Sequence, residues 1–189
     1  MERFSFISIS AAKSQLDTDG RPAFHGAVIT DMPGLAKLIV RGIWSPMVWD
    51  GMDIVSAHFA AFNFDEVVTL ALAVRRFASY RHVIGTTRSH QSNDKGDRFR
   101  VIVPFEQPIR DEFVYLATMK KLVQEFNANR ACVDTVRIYY PCVTIVSVNK
   151  EGKAFAAVPV PPDAKKAVRK LEPGPESLAK RFTELAVET

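Results

Sequence analysis

The sequence predicts an α+β domain, a split βαβ mixed sheet with helices packed on it, and three observations point to it. Apolar residues alternate in RFSFISIS and SAHFAAFNFD with the two-residue period of a strand. From Glu66 the period becomes helical, with Val67, Leu70, Ala71, Val74, Phe77 and Ala78 at matching spacing. Two more strand-like runs, HVIGTT and RFRVIVPF, follow one another before a second helical pattern and a final β-rich run.

Taken in order, RFSFISIS and AFHGAVIT predict two early strands, and PGLAKLIVRG a short helix with Pro33 in its first turn. In SAHFAAFNFD the residues Ala57, Phe59, Ala61, Asn63 and Asp65 should share one face, with Phe62 and Phe64 on the other. The helix from Glu66 leads into the paired runs. There Thr86, Arg88 and His90 are expected to alternate onto one face, and Arg98 and Arg100 to share a face of the returning strand. A helix from Asp111 to Phe126 should bury Phe113, Leu116, Met119, Val123 and Phe126, and VRIYYPCVTIVSV should close the sheet. The order β-α-β-β-α-β is that of a ferredoxin-like or RRM-like sheet with helices on one face.

Residues 1–158 are read as this core. A Pro-rich basic connector is expected over 159–176, where Pro159, Pro161, Pro162, Pro173 and Pro175 interleave with Lys165, Lys166, Arg169 and Lys170. A helix carrying Leu178, Phe182 and Leu185 is expected over 177–189.

The 189 residues, 47% apolar and 24% charged, suit one domain with a sizeable core. A net charge of +4 tolerates a polyanionic partner without demanding one. Cys132 and Cys142 match neither a disulfide framework nor a zinc pattern, so a reducing compartment is expected. MERFSFISIS reads as strand rather than leader and no apolar run reaches membrane-spanning length, so a cytoplasmic protein without a membrane partner is expected. P-loop, dinucleotide-binding and zincin motifs do not occur, which disfavours those three enzyme classes.

Two clusters could carry chemistry. Asn63 and Asp65, two apart on a strand, put two oxygen donors on one face where a divalent ion could sit; alternatively Asp65 and Glu66 cap the next helix. Arg88, Ser89, His90, Arg98 and Arg100 gather cationic and hydrogen-bonding groups at the facing ends of two strands, as a triphosphate requires; alternatively they are a solvated hairpin end that protects a sheet edge. His25, His58 and His82 are read as structural, and Trp44 and Trp49 are assigned no chemistry.

The segments WSPMVWDGMDIVSAHFAAFNFDE, YRHVIGTTRSHQSNDKGDRFRVIVPFEQPI and CVDTVRIYYPC together resemble the archaeo-eukaryotic primase superfamily, in particular its primase-polymerase branch in phages and plasmids. The likeness runs from about Trp44 to Cys142. It implies a primase-polymerase catalytic core, a DNA primase and DNA polymerase acting as a nucleotidyltransferase in phage or plasmid DNA replication. Its partners would be nucleoside triphosphates, a single-stranded DNA template, Mg²⁺ or Mn²⁺ and a helicase in trans. Asn63 and Asp65 fall on the first metal-binding motif, with Asn63, Asp65 and His90 at the catalytic positions. Ser89 and His90 fall on the nucleotide motif, with Arg88, Arg98 and Arg100 toward the phosphates. Asn129 and Asp134 fall on the last metal-binding motif. Outside the likeness, the basic stretch Lys165, Lys166, Arg169 and Lys170 is expected to bind the template by charge.

Two of the expected carboxylates are amides, at Asn63 and Asn129. One lost charge at ~4 Å is worth about 4 kcal/mol at an intermediate dielectric. Two readings therefore stand side by side: an active polymerase, and a catalytically inactive nucleotide- and nucleic-acid-binding replication or regulatory protein on the same scaffold.

Overall fold

The structure, a computed structural model, describes residues 5–10, 24–50, 53–65, 68–92, 95–135 and 137–161. The chain divides into two compact units, Met1–Val158 and Pro159–Thr189. Lys165, Lys166, Arg169, Lys170 and the helix expected over 177–189 lie outside the described residues.

Strand β1 (Ser5–Ser10) pairs with β2 (Phe24–Ile29) and β3 (Trp44–Ser45) in a small sheet of order β2-β1-β3. The larger sheet holds β4 (Met47–Asp50), β5 (Asp53–Asp65), β6 (His82–Thr86), β7 (Arg98–Ile109) and β8 (Ile145–Asn149), in the order β4-β5-β7-β6-β8. Every neighbouring pair in it is antiparallel, so the fold is α+β but the sheet is not the mixed one expected. β7 lies between β5 and β6, while β8 takes the outer edge beside β6 and β4 covers the outer side of β5.

The final β-rich run yields only β8 because its first half is drawn elsewhere. Tyr139 pairs through its backbone with Trp44 at 2.9 and 2.7 Å, and Pro141 has no N–H to offer a ladder. Gly85 in β6 then lets the chain return closely: a Cβ there would lie 2.9 Å from the Cys142 Cβ.

Helices pack on both faces of the larger sheet, not one. Helix α1 (Met32–Ile39) starts where Asp31 accepts from Gly34 N at 2.6 Å, and buries Leu35, Ala36 and Ile39 with Phe59, Ala61 and Ile102. Helices α2 (Leu70–Arg76) and α3 (Glu112–Phe126) cover the other face, with Phe62, Phe64 and Phe99. β5 thus feeds two cores from alternate positions. A register shift between Ala57 and Phe59 breaks the alternation, so Ala57 joins Phe62 instead of the face expected for it.

α2 begins at Leu70, later than expected, because Thr69 is its cap and Asp97 Oδ2 receives Leu70 N at 2.7 Å. Ala73 within it and Phe77 at its C-cap are buried, while Ala71 and Ala78 are exposed. α3 is capped by Asp111 and ends at Asn127 in the left-handed region at φ 55°. Its buried stripe runs through Tyr115, Thr118, Met119, Leu122, Val123 and Phe126, leaving Phe113 and Leu116 half-buried. The rotation follows from Phe62, whose ring meets those of Phe77, Phe126 and Phe155 at centroid distances of 6.0 to 6.3 Å.

Candidate functional site

Antiparallel register sets Asn63 opposite Arg100 and Asp65 opposite Arg98 at one end of β5 and β7. Directly opposed residues share a sheet face, so an amide and a carboxylate each confront a guanidinium. Arg98 Nη1 lies 3.7 Å from Asp65 Oδ1 in a half-exposed ion pair. Arg100 Nε donates to Asn63 Oδ1 at 2.8 Å, and its Nη1 donates to the Tyr140 carbonyl at 2.7 Å.

Arg100 is 5% exposed. Its guanidinium carbon is 4.3 Å from the Tyr139 ring centroid and 5.6 Å from that of Trp44, and those rings stack at 4.9 Å. Burial lowers its pKa, and the nearby Cys142, Tyr139 and Cys132 partly oppose that shift. The cation is therefore held by π faces and neutral oxygens rather than by a carboxylate. Tyr139 fixes the stack by donating to the Ala61 carbonyl at 2.9 Å, and burial holds its phenol well above the ordinary value. Both thiols are buried and free, and burial raises both pKa values; Cys132 Sγ also accepts from Asn63 N at 3.1 Å. Such thiols are packing groups rather than nucleophiles.

Asn129 caps the short 3-10 turn Arg130–Cys132, its Oδ1 accepting from Ala131 N at 2.9 Å. Its Nδ2 donates to Asp65 Oδ2 at 2.7 Å, and its backbone N donates to the Asn63 carbonyl at 2.9 Å. Asp65 thus sits between Asn129 and Arg98 and caps no helix, since Thr69 holds that position.

β6 ends at Thr86, and Arg88, Ser89 and His90 form a turn closed by His90 N to the Thr87 carbonyl at 3.1 Å. The expected alternation of Thr86, Arg88 and His90 along one strand face is therefore corrected. The turn forms because Ser92 bonds back to the Ser89 carbonyl through Oγ at 3.1 Å and Gln91 adopts φ 51°. Arg98 N donates to His90 Nδ1 at 3.1 Å, so a neutral His90 carries its proton on Nε2. Arg88 is exposed, and Ser89 is half-buried with its Oγ 3.5 Å from Thr87 Oγ1.

Contacts join six of the expected residues in one chain: His90 to Arg98, Arg98 to Asp65, Asp65 to Asn129, Asn129 to Asn63 and Asn63 to Arg100. Asp134 belongs to the α3 side, where burial above all, with the nearby Cys132 and then the Asp134 charge adding to it, raises the Tyr115 pKa, and where Thr135 donates to Glu112 Oε1 at 3.0 Å. His82 is structural, bonded through Nδ1 to the Phe77 and Tyr80 carbonyls and through Nε2 to Ser147.

The donor set does not fit a divalent ion. Asn63 Oδ1 faces Arg100, Asn129 Oδ1 faces a backbone N–H, and Asp65 is shared by an amide N–H and a guanidinium. Mg²⁺ and Mn²⁺ need several free oxygens, and two guanidinium charges already stand beside these. Among the described residues no group of three or more His, Cys, Asp and Glu is placed to hold a metal ion.

Sequence reasoning missed Tyr139, Tyr140 and Trp44 as partners of Arg100, and Asp97 as the residue that ties the hairpin to α2. Asp97 accepts from Gln91 Nε2 at 3.3 Å as well as from Leu70 N. A polar residue next to a strand start carries no mark of either bond in the sequence. Compared with protein-family models, curated proteins and solved structures, the chain matches none. No helix among the described residues is long and apolar enough to cross a membrane.

Proposed function

We propose that this chain is a non-catalytic nucleotide- and nucleic-acid-binding domain of a replication or regulatory protein, built on a primase-polymerase-like scaffold. The observation that carries the reading is the bond from Arg100 Nε to Asn63 Oδ1 at 2.8 Å, which uses the amide oxygen that metal-dependent transfer would need. The bond from Asn129 Nδ2 to Asp65 supports it, because it presents a donor where a metal requires an acceptor.

The ligand is a phosphate-bearing chain or nucleotide at the mouth of the hairpin. Arg88 and Arg98 supply charge, His90 Nε2 and Ser89 supply donors, and Arg100 holds Asn63 and the Tyr139 stack behind them. Electrostatic binding of single strands loses affinity with salt by a log-log slope of about −0.7 per neutralised phosphate.

The test sets binding against synthesis in one preparation. Fluorescence anisotropy with a labelled single strand and calorimetry with a nucleoside triphosphate are expected to give saturable binding, while primer extension with Mg²⁺ or Mn²⁺ gives no product. Extension product would restore the polymerase reading.

A further inference from the structure

Beyond the hairpin, the segment 139–144 brings an aromatic ring to the same end of the larger sheet. It runs from Trp44 to Thr86. Tyr139 exchanges both backbone bonds with Trp44, Cys142 N donates to the Ile39 carbonyl at 2.9 Å, Val143 N donates to the Thr86 carbonyl at 2.9 Å, and Thr86 N donates to that of Thr144 at 2.8 Å. Between these anchors the Tyr140 carbonyl accepts from Arg100 Nη1 at 2.7 Å, and the ring of Pro141 fixes φ at the next residue. The segment is thus pinned at each end and in the middle, over the face that carries Arg98 and Arg100.

Tyr139 turns inward onto Trp44 and Arg100, so in extended chain its neighbours Ile138 and Tyr140 turn outward. Among the described Phe, Tyr and Trp side chains Tyr140 alone is exposed, at 60%, and Ile138 and Val143 near it are 41% and 63% exposed. Single apolar residues scattered over a surface need no explanation. These three lie together on backbone anchored to other elements, and they form a small apolar platform with an aromatic ring at its centre. Cations stand next to it. Arg98 is two residues from Arg100 on the same face of β7, about 7 Å at ~3.3 Å per residue, and His90 adjoins Arg98 through its bond to Arg98 N.

We propose that Tyr140 is the stacking surface for the base of the bound nucleotide, with Ile138 and Val143 widening it. The proposal rests on the phosphate site at the hairpin and adds the base to it. An exposed ring beside phosphate-binding groups suits a nucleotide, because every base has a π face that stacks on an aromatic side chain. A base laid on Tyr140 directs its phosphates toward Arg98 and His90. Stacking tolerates any base, so the platform serves a free nucleoside triphosphate and a nucleotide within a single strand alike.

The experiment is calorimetry of the full chain with ATP and with methyl triphosphate, which carries the same phosphate chain without the base. ATP should bind about fivefold or more tightly than methyl triphosphate, the worth of one stacked base. Tyr140→Ala should remove that advantage and bring ATP to the level of methyl triphosphate, while Tyr140→Phe should restore it, because the ring and not the hydroxyl carries the contact. The ring is exposed and the bond from Arg100 goes to the main-chain carbonyl, so both variants should fold. Aminopurine riboside triphosphate, whose emission stacking quenches, should be quenched by the unsubstituted chain and not by Tyr140→Ala. Equal affinity for ATP and methyl triphosphate, or unchanged ATP affinity and quenching in Tyr140→Ala, would overturn the platform and leave the phosphate site standing. Absence of binding by both ligands would overturn the two together.

Discussion

Arg100 and Asn63 face each other across β5 and β7, and the guanidinium reaches the amide oxygen at 2.8 Å while buried against Tyr139 and Trp44. A cation taken out of water without a carboxylate keeps its place only if its other contacts are well made. Here they are two neutral acceptors and two aromatic faces, which makes Arg100 a structural centre of the site.

Arg100→Leu should therefore destabilise the fold by roughly 2–4 kcal/mol, since the Asn63 and Tyr140 oxygens each lose a donor at about 1–3 kcal/mol. Arg100→Lys should recover little, because an ammonium cannot bond both oxygens and stack on a ring as a guanidinium does. Urea unfolding measures both variants. A loss below about 0.5 kcal/mol for Arg100→Leu, the range of a neutral surface change, would contradict a structural role.

The two amides should respond in opposite ways to conversion into carboxylates. Asn63→Asp puts a negative charge against Arg100, so stability at neutral pH should hold or rise without added metal. Asn129→Asp replaces the donor that now meets Asp65 at 2.7 Å with a second carboxylate, at a cost on the order of 1–3 kcal/mol. Adding Mg²⁺ or Mn²⁺ should return part of that loss only in variants carrying Asn129→Asp, because an ion that binds the folded state alone stabilises it. Melting curves with and without metal check the pattern, and a metal response in the unsubstituted chain equal to that of the double variant would refute it.

At the hairpin, Arg98→Gln and His90→Ala should each weaken binding of a nucleoside triphosphate by about 1.5–3 kcal/mol, the worth of a charge-assisted contact. His90→Ala also removes the acceptor of Arg98 N, so its loss should include slower or less complete ordering of the turn. Calorimetry on the two variants decides the matter. Unchanged affinity in both would return the hairpin to protection of a sheet edge.

His58 introduces a pH dependence remote from the hairpin. Burial, with Arg110 nearby as the smaller cause, lowers its pKa from 6.5 to about 4, and Ser56 Oγ lies 3.0 Å from its Nε2. The folded state thus holds the neutral ring while the unfolded chain takes up a proton below pH 6.5. Its contribution to stability is complete above the unfolded value, declines as pH falls from 6.5 toward 4, and levels off below. Allowing for partial solvent screening, the decline should be about 1–2 kcal/mol. His58→Gln should flatten that part of the urea-unfolding pH profile, and an unaltered profile would exclude His58 as its source.

Strand periodicity made the common face of Asn63 and Asp65 legible, because a two-residue repeat needs no knowledge of distant contacts. The same repeat misplaced Ala57, since a register shift beside Phe59 depends on the partner strand. The strand ends rich in Arg, Ser and His were visible as a cluster. Its division into an exposed Arg88, a half-exposed Arg98 and a buried Arg100 was not, because Trp44 and Tyr139 come from far along the chain to cover the last. Asn129 read as a lost carboxylate, whereas its local work is to cap a turn and brace Asp65. Helix α1 was legible as a helix, but which sheet face it covers was fixed by contacts with Ile7 and Phe59 that no local pattern reveals.

The most direct measurement is calorimetric titration of the full chain with a nucleoside triphosphate, once in excess chelator and once in Mg²⁺. If Arg98 and His90 hold the phosphates while Arg100 and Asn129 keep the oxygens of Asn63 and Asp65 occupied, binding persists in chelator. Binding that appears only when Mg²⁺ is present would contradict this, because the oxygens would then have to leave Arg100 and Asn129 to hold the ion.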